Sequence, residues 1–353
     1  MNLTVIFFFV VGLGLLVLGA DVLVRGAARL AIGLGLSPLI IGLTVVAFGT
    51  SSPELAVSVY SGIAGQADIA LGNVVGSNIF NVLFILGLSA MISQLTVSRQ
   101  LKRFDVPIMI TVSVLTLIFG LDGKIERSDG VLLFAGIVGY TILLVNKGRR
   151  ENRLYVKEHK KGSLIIVVLL IIIGLTLLVI GSHWLVSGAV VLARVFGVSE
   201  LVIGLTIVAA GTSLPEVATS VVATIRGERD IAIGNVVGSN IFNILLVLGL
   251  SSIISPDGIT VASHALRFDI PVMIAVAIIC LPIFFTGGII ARWEGILLFS
   301  YYCIYTAYIV LQAMHHAFLP MLRMITVVFL PVTILAVMIQ TMLYLRKKGN
   351  SDY

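Results

Sequence analysis

Apolar stretches of about twenty residues follow one another along almost the whole chain, each bounded by glycine, proline or charge. They fall near 3–20, 38–63, 69–92, 105–121, 130–146, 164–186, 200–225, 231–254, 269–286 and 294–312, with an eleventh near 324–345. A helix of that length crosses the hydrocarbon core of a bilayer, so the pattern predicts an all-α polytopic membrane protein. Composition agrees. The chain is 59% hydrophobic and 11% charged, against about 25% charged in soluble proteins, and its mean hydropathy is +1.14. The net charge of +6 is therefore read loop by loop as topology, not as affinity for nucleic acid. Cys280 and Cys303 both lie in apolar runs, so no disulfide framework is predicted. The opening Met1-Asn2-Leu3-Thr4 has neither a basic leader nor a small-residue cleavage site, and the first run is read as a retained span.

The basic residues orient the spans. Segment 147–162 carries Lys147, Arg149, Arg150, Arg153, Lys157, Lys160 and Lys161 against Glu151 and Glu158, the pattern of a cytoplasmic loop. Counting back five spans places the N-terminus outside. Arg25 and Arg29, the cluster Arg99, Lys102 and Arg103, the pair Arg226 and Arg229, and Arg346, Lys347 and Lys348 then fall inside too. The C-terminus is expected inside.

The polar positions repeat. Ala47-Phe48-Gly49-Thr50-Ser51-Ser52-Pro53-Glu54 returns as Ala209-Ala210-Gly211-Thr212-Ser213-Leu214-Pro215-Glu216, and 231–243 repeat 69–81 with 12 of 13 residues identical. Arg103-Phe104-Asp105-Val106-Pro107 returns as Arg267-Phe268-Asp269-Ile270-Pro271. An odd number of spans separates equivalent points, so the copies should cross the membrane in opposite senses. The expected organisation is a first five-span repeat at 1–146, a basic cytoplasmic loop at 147–162, a second, inverted five-span repeat at 163–312, and an extra transmembrane helix with a cytoplasmic tail at 313–353. Inverted repeats place their substrate at the repeat interface, near the midplane.

The duplicated motif puts a carboxylate at membrane depth. Glu54 and Glu216 sit in runs that contain no Lys or Arg. An unpartnered charge at the bilayer centre costs about 2.5–3.5 kcal/mol or more, so each needs a mobile cation or a proton. Thr50 and Ser51 precede Glu54 by four and three residues and share its helical face; Thr212 and Ser213 do the same for Glu216. Pro53 cannot donate to residue 49, so carbonyls around Ala47–Gly49, and by symmetry at Ala209, are expected to be freed. Asn73, Ser77 and Asn81 form one stripe at a spacing of four, repeated as Asn235, Ser239 and Asn243. All of these donors are hard oxygens, without Cys or His, a set suited to Ca2+ or Na+. Two glutamates also balance one divalent ion.

The two G-T-S-x-P-E blocks, each followed by G-N-V-V-G-S-N-I-F-N, closely resemble the paired α-repeats of the cation/Ca2+ antiporter superfamily, and most of all prokaryotic Na+/Ca2+ exchangers. The resemblance covers residues 1 to about 312. It implies that Glu54 and Glu216 ligate Ca2+ and Na+. Thr50, Ser51, Ser77, Thr212, Ser213 and Ser239, with the carbonyls of Ala47 and Ala209, would complete the sites. It further implies exchange of Na+ entering for Ca2+ leaving, by alternating access, at a cell membrane. Some relatives have Asp where this chain has Asn243, and in the K+-dependent branch that Asp goes with K+ use. Asn at both 81 and 243 argues against K+ dependence.

Other readings are weighed beside this one. Ca2+/H+ exchange is the runner-up, and a cation channel comes next, although a channel needs no symmetric pair of end states. No HExxH or Gly-x-Ser-x-Gly motif supports an enzyme, and neither a cofactor nor an obligate protein partner is indicated; the implied partners are the ions and the lipid bilayer. Gly72 and Gly76, with Gly234 and Gly238, can serve as packing notches. Asp21 and Arg25 suit an i,i+4 pair. Asp105 and Asp269 are expected to be N-caps.

Overall fold

The computed structural model describes residues 3–152, 163–327 and Thr333. The helices of the first half are α1 (Leu3–Leu34), α2 (Pro38–Thr50), α3 (Ser52–Ile63), α4 (Ala67–Ile92), α5 (101–119) and α6 (Arg127–Asn152). Those of the second are α7 (Leu164–Val195), α8 (200–211), α9 (Leu214–Ile225), α10 (Arg229–Ile254), α11 (Ala265–Phe285) and α12 (Arg292–Ala313). Seven of the described helices are long and apolar enough to cross a membrane, and the α2–α3 pair, bent by 46°, meets the same length and composition taken together. Large apolar side chains such as Phe7, Leu132, Ile165 and Ile172 stand exposed on the outer surface, as suits helices solvated by lipid. Most of the expected eleventh span and of the basic loop lies outside the described residues.

Local chemistry explains the boundaries. α1 and α7 run well past the expected ends of their apolar stretches, because Asp21, Arg25 and Arg29 do not stop a helix. The stops are Gly35 (φ 64) and Gly197 (φ 76), left-handed positions that favour glycine. There the following N–H turns back to a carbonyl five residues earlier, Leu36 to Ala31 at 2.9 Å and Val198 to Ala193 at 3.0 Å. Asp21 does pair with Arg25, at 2.8 Å, and it also holds Arg226 beyond the end of α9. Within α2, the Thr44 hydroxyl donates to the Ile40 carbonyl at 2.6 Å, and Thr206 repeats this on Val202 at 2.6 Å. Such back-bonding loosens a helix, and both threonines sit in π-helical segments, Gly42–Val46 and Gly204–Val208.

Two more π-helical pairs recur at matching places, Asn81–Leu86 with Asn243–Leu248 and Leu101–Asp105 with Ala265–Asp269. The last pair corrects an expectation. Asp105 and Asp269 are not N-caps, since the helix already begins with the π-helical turn before them and neither makes a cap bond. Instead Asp105 is buried and accepts from the Tyr140 hydroxyl at 3.0 Å. Asp269 accepts from Tyr305 at 3.4 Å and faces His264 at 3.1 Å.

The halves interlock. α1 and α7 lie so close that a Cβ at Gly19 would stand 2.7 Å from the Leu178 nitrogen, and one at Gly181 would stand 2.6 Å from that of Leu16. One apolar core cluster runs across both halves, joining Val74, Ile79 and Leu86 of α4 to Val236, Ile241 and Leu248 of α10, and a second lies around α1 and α7. Two short antiparallel strand pairs also cross between halves. β1 (Leu95–Thr96) pairs with β4 (Ile289–Ile290), and β2 (Lys124–Ile125) pairs with β3 (Ile259–Thr260). Each strand of the first half thus pairs with the other strand of the second, so this inter-half contact occurs twice with the roles exchanged.

Candidate cation site

Both carboxylates are fully buried at the break between helices. The chain turns at Ser51 (φ -80, ψ 6) and again at Ser213 (φ -88, ψ 7), and Pro53 and Pro215 then open α3 and α9. This puts Glu54 and Glu216 in the first turn of a helix, where the missing N–H of proline does no harm. Each glutamate is held by the serine of the opposite half. Ser213 donates to Glu54 Oε1 at 2.8 Å, and Ser51 donates to Glu216 Oε1 at 3.2 Å. The second oxygens, Glu54 Oε2 and Glu216 Oε2, are buried and have no hydrogen-bond partner. Among the described residues neither glutamate is in an ion pair.

The neighbouring polar groups follow the same exchange. Thr50 donates to Asn235 Oδ1 at 3.0 Å and Thr212 to Asn73 Oδ1 at 3.3 Å. The amide of Asn73 donates to the Glu54 carbonyl at 3.1 Å and to Ser58 at 2.8 Å; Asn235 donates to the Glu216 carbonyl at 3.4 Å and to Ser220 at 3.0 Å. Ser77 accepts from Ser213 at 3.1 Å, while its counterpart Ser239 is buried without a partner. One turn on, Asn81 and Asn243 are both fully buried, and their Oδ1 atoms are unpartnered. The network therefore gathers Thr50, Ser51, Glu54, Ser77, Thr212, Ser213 and Glu216 around the two helix breaks, with Asn81, Ser239 and Asn243 buried on α4 and α10. Among the described residues no group of three or more His, Cys, Asp or Glu side chains gathers. Neutral oxygens therefore outnumber the charged ones here.

The expected freeing of carbonyls is corrected in the first half, at Ala47 and Phe48. Ala47 O keeps its helical bond from the Ser51 N–H at 3.0 Å and also accepts from Thr50 Oγ1 at 3.4 Å. The Phe48 carbonyl is taken by the Ser52 hydroxyl at 3.0 Å. The break is confined to one residue, Ser51, so the preceding turn closes normally and its serine and threonine side chains take up the slack. Ala47 is buried, whereas Ala209 is exposed on the wall of a cavity.

That cavity, of about 740 Å³, is lined by α4, α8, α11 and α12. Gly72, Asn73, Gly76 and Ser77 face it across from Ala209 and Thr212. The matching surfaces of α10 and α2 are shut. A Cβ at Gly238 would stand 2.8 Å from Leu43 Cα, and one at Gly234 would stand 2.9 Å from the Leu39 carbonyl. Gly234 and Gly238 are packing notches, as expected; Gly72 and Gly76, with nothing within 4 Å of an added Cβ, are not.

Sequence reasoning missed Asn78 and Asn240. They lie one residue off the 73/77/81 stripe and so point at the partner helix. Asn78 Nδ2 donates to the Asn240 carbonyl at 3.2 Å and Asn240 Nδ2 to the Asn78 carbonyl at 3.3 Å. The signal available was a second pair of asparagines kept inside a duplicated apolar segment.

Comparison with known proteins agrees with this architecture. The model of the sodium/calcium exchanger protein family matches residues 4–146 and 166–311. The inner membrane protein YrbG of Escherichia coli is 38% identical over 282 residues, covering 77% of this chain and 87% of its own. The sodium/calcium exchanger MaX1 of Methanosarcina acetivorans is 34% identical over 331 residues, covering 82% and 94%. Among solved structures, the sodium-calcium exchanger NCX_Mj soaked with Na+ and Ca2+ superposes with a TM-score of 0.76 at 32% identity, over 87% of this chain and 99% of that one. With its duplicated motif, its paired helix breaks and a match along both halves, this chain belongs to the sodium/calcium exchanger protein family.

Proposed function

We propose that the protein is a secondary antiporter that exchanges Na+ for Ca2+ across a cell membrane, binding the ions between its two halves. The observation that carries this reading is the pair of buried glutamates, each with one oxygen held by the other half's serine and one oxygen unpartnered. Hard oxygen donors with two negative charges and no protein cation fit Ca2+ or Na+. Glu54 and Glu216 supply the charge. Thr50, Ser51, Ser77, Asn81, Thr212, Ser213, Ser239 and Asn243, with the carbonyls of Ala47 and Ala209, supply neutral oxygens. Ala47 contributes once the Thr50 hydroxyl, 3.4 Å away, turns from its carbonyl and leaves one lone pair for the ion.

The two repeats, 1–146 and 163–312, are inverted in the membrane, with the N-terminus outside and the C-terminus inside. The loop 147–162 is cytoplasmic, and 313–353 form an extra helix and a tail. The cavity fits the alternating sense of the spans in this topology, while the basic clusters carry its in-out orientation. Ile69, Gly204, His264 and Gln312 all line it, and each lies close to a helix end that this topology puts outside. The tight contacts of Gly234 with Leu39 and Gly42 lie toward the inner ends. The protein is thus outward-facing, and exchange proceeds when the α4–α8 surfaces close and the α2–α10 surfaces part.

The test is uptake of radioactive Ca2+ into Na+-loaded proteoliposomes, with Na+, K+ and H+ gradients imposed in turn. Uptake should need internal Na+ and no K+. Flux driven by a proton gradient without Na+ would favour Ca2+/H+ exchange, and flux indifferent to any counter-ion would mean a channel.

A further inference from the structure

Asn81 and Asn243 each offer the core one atom that has no partner, and in both it is the amide oxygen. An amide could equally present its NH2 group, which would repel a cation. Oxygen and nitrogen of an amide are told apart by their partners, and here the partners form a chain that starts at the backbone. The main-chain carbonyl of Asn240 can only accept, so the Asn78 amide must turn its nitrogen toward it, at 3.2 Å. The same nitrogen lies 3.6 Å from the Met273 sulfur, a weak acceptor. Asn78 Oδ1 is thereby left facing Asn243, which must answer with its own nitrogen, at 3.1 Å.

The mirrored chain runs from the Asn78 carbonyl to Asn240 Nδ2 at 3.3 Å, with Met109 Sδ at 3.5 Å, and on from Asn240 Oδ1 to Asn81 Nδ2 at 3.0 Å. All four asparagines are buried, so no solvent relaxes the arrangement. Turning either outer amide over would set two oxygens against each other and strand an NH2 group, at about 1–3 kcal/mol for each unsatisfied group.

We propose that Asn78 and Asn240 are positioning residues that lock the amides of Asn243 and Asn81 oxygen-inward, so that neutral oxygens rather than NH2 groups face the transported cation. The inference rests on the proposed cation site. It assigns selectivity to two residues that touch no ion and act across the helix crossing, each setting the polarity of the other half's asparagine. The lock has a corollary for acidic substitution. A carboxylate at 243 has no hydrogen for Asn78 Oδ1, so Asn243→Asp adds charge and also breaks the relay.

The experiment is a double-mutant cycle on Na+-driven Ca2+ uptake in proteoliposomes, with Asn78→Ala, Asn243→Ala and the double variant, all checked for monodispersity in detergent. Substitution behind a metal ligand typically weakens affinity by about 10- to 100-fold. Asn78→Ala should raise the half-saturating Ca2+ concentration by about tenfold, with the maximal rate falling much less. The double variant should be no worse than Asn243→Ala alone, because Asn78 acts through Asn243. If Asn78→Ala does not yield folded protein, Asn240→Ala with Asn81→Ala runs the same cycle on the mirrored half. Wild-type half-saturation in Asn78→Ala, or single effects that multiply in the double variant, would overturn the positioning role while leaving exchange intact. Absence of Na+-driven uptake in the wild type would instead remove the cation site, and this inference with it.

Discussion

Helices α4 and α10 carry nearly the same sequence, 12 of 13 residues across 69–81 and 231–243, yet they lie in different surroundings. α10 is sealed against α2, its glycines in contact with Leu39, Gly42 and Leu43. α4 stands away from α8, and its glycines face open space. Near-identical sequence therefore does not settle which interface is closed. The glycines make both arrangements possible, because a helix with no Cβ on one face can seat against a backbone or leave it without stranding a side chain. Exchange by alternating access, as proposed above, requires the two halves to trade this difference.

The strongest challenge to that view is the carboxylate pair, which both arrangements share. Glu54→Gln and Glu216→Gln should each lower Ca2+ flux by at least about a hundredfold, the scale of losing one partner of a buried charge pair. Size-exclusion profiles should stay those of wild type. Robust flux in either variant would mean that the two halves do not serve one site.

The glycines test the comparison directly. Gly238→Ala puts a methyl 2.8 Å from the Leu43 Cα and carbonyl, whereas Gly76→Ala meets nothing within 4 Å in this arrangement. Overpacking costs about 1–3 kcal/mol, a shift of roughly five- to hundredfold. Gly238→Ala should drive the vestibule shut and Gly76→Ala should hold it open. The readout is the labelling rate of Ala210→Cys by a small thiol reagent, in a background lacking the exposed Cys303. Equal rates in both variants would break the comparison.

Asparagine-to-aspartate changes should alter ion dependence rather than folding. Asn243→Asp and Asn81→Asp each add a third negative charge, and Ca2+ uptake should acquire K+ or pH sensitivity of a few-fold, measured across K+ and pH series. The two need not act equally, since one half is open and the other shut. The smallest effect is expected at Asp21, whose tie from α1 across to Arg226 has no mirrored copy; the matching positions hold His183 and Ala64. Partly exposed ion pairs contribute about 0.2–1 kcal/mol, so Asp21→Asn should change Ala210→Cys labelling by no more than about fivefold.

Much of this architecture was legible in the sequence because duplication doubles every signal. The helix breaks at Pro53 and Pro215, the buried glutamates and the stripe of Ser77 and Asn81 all follow from local rules applied twice. What escaped was set by contact between the halves. The Ser51–Glu216 and Ser213–Glu54 exchange is invisible to a reading that groups each serine with the glutamate three residues on. Asn78 and Asn240 escaped because their partners lie across the crossing. Asp105 and Asp269 looked like caps because a proline follows two residues later, but a π-helical turn places the helix start earlier. Ala47 kept its carbonyl bond because the chain needed only one residue, Ser51, to turn.

The crossed strands bear on how such a protein is made. β1 and β2 belong to the first half, and their partners are residues 289–290 and 259–260. Until the ribosome has delivered the second half, those edges stay open, and Glu54 waits for Ser213. Coexpression of the two halves as separate polypeptides should restore what neither has alone, making the chain in effect a dimer whose subunits share one messenger.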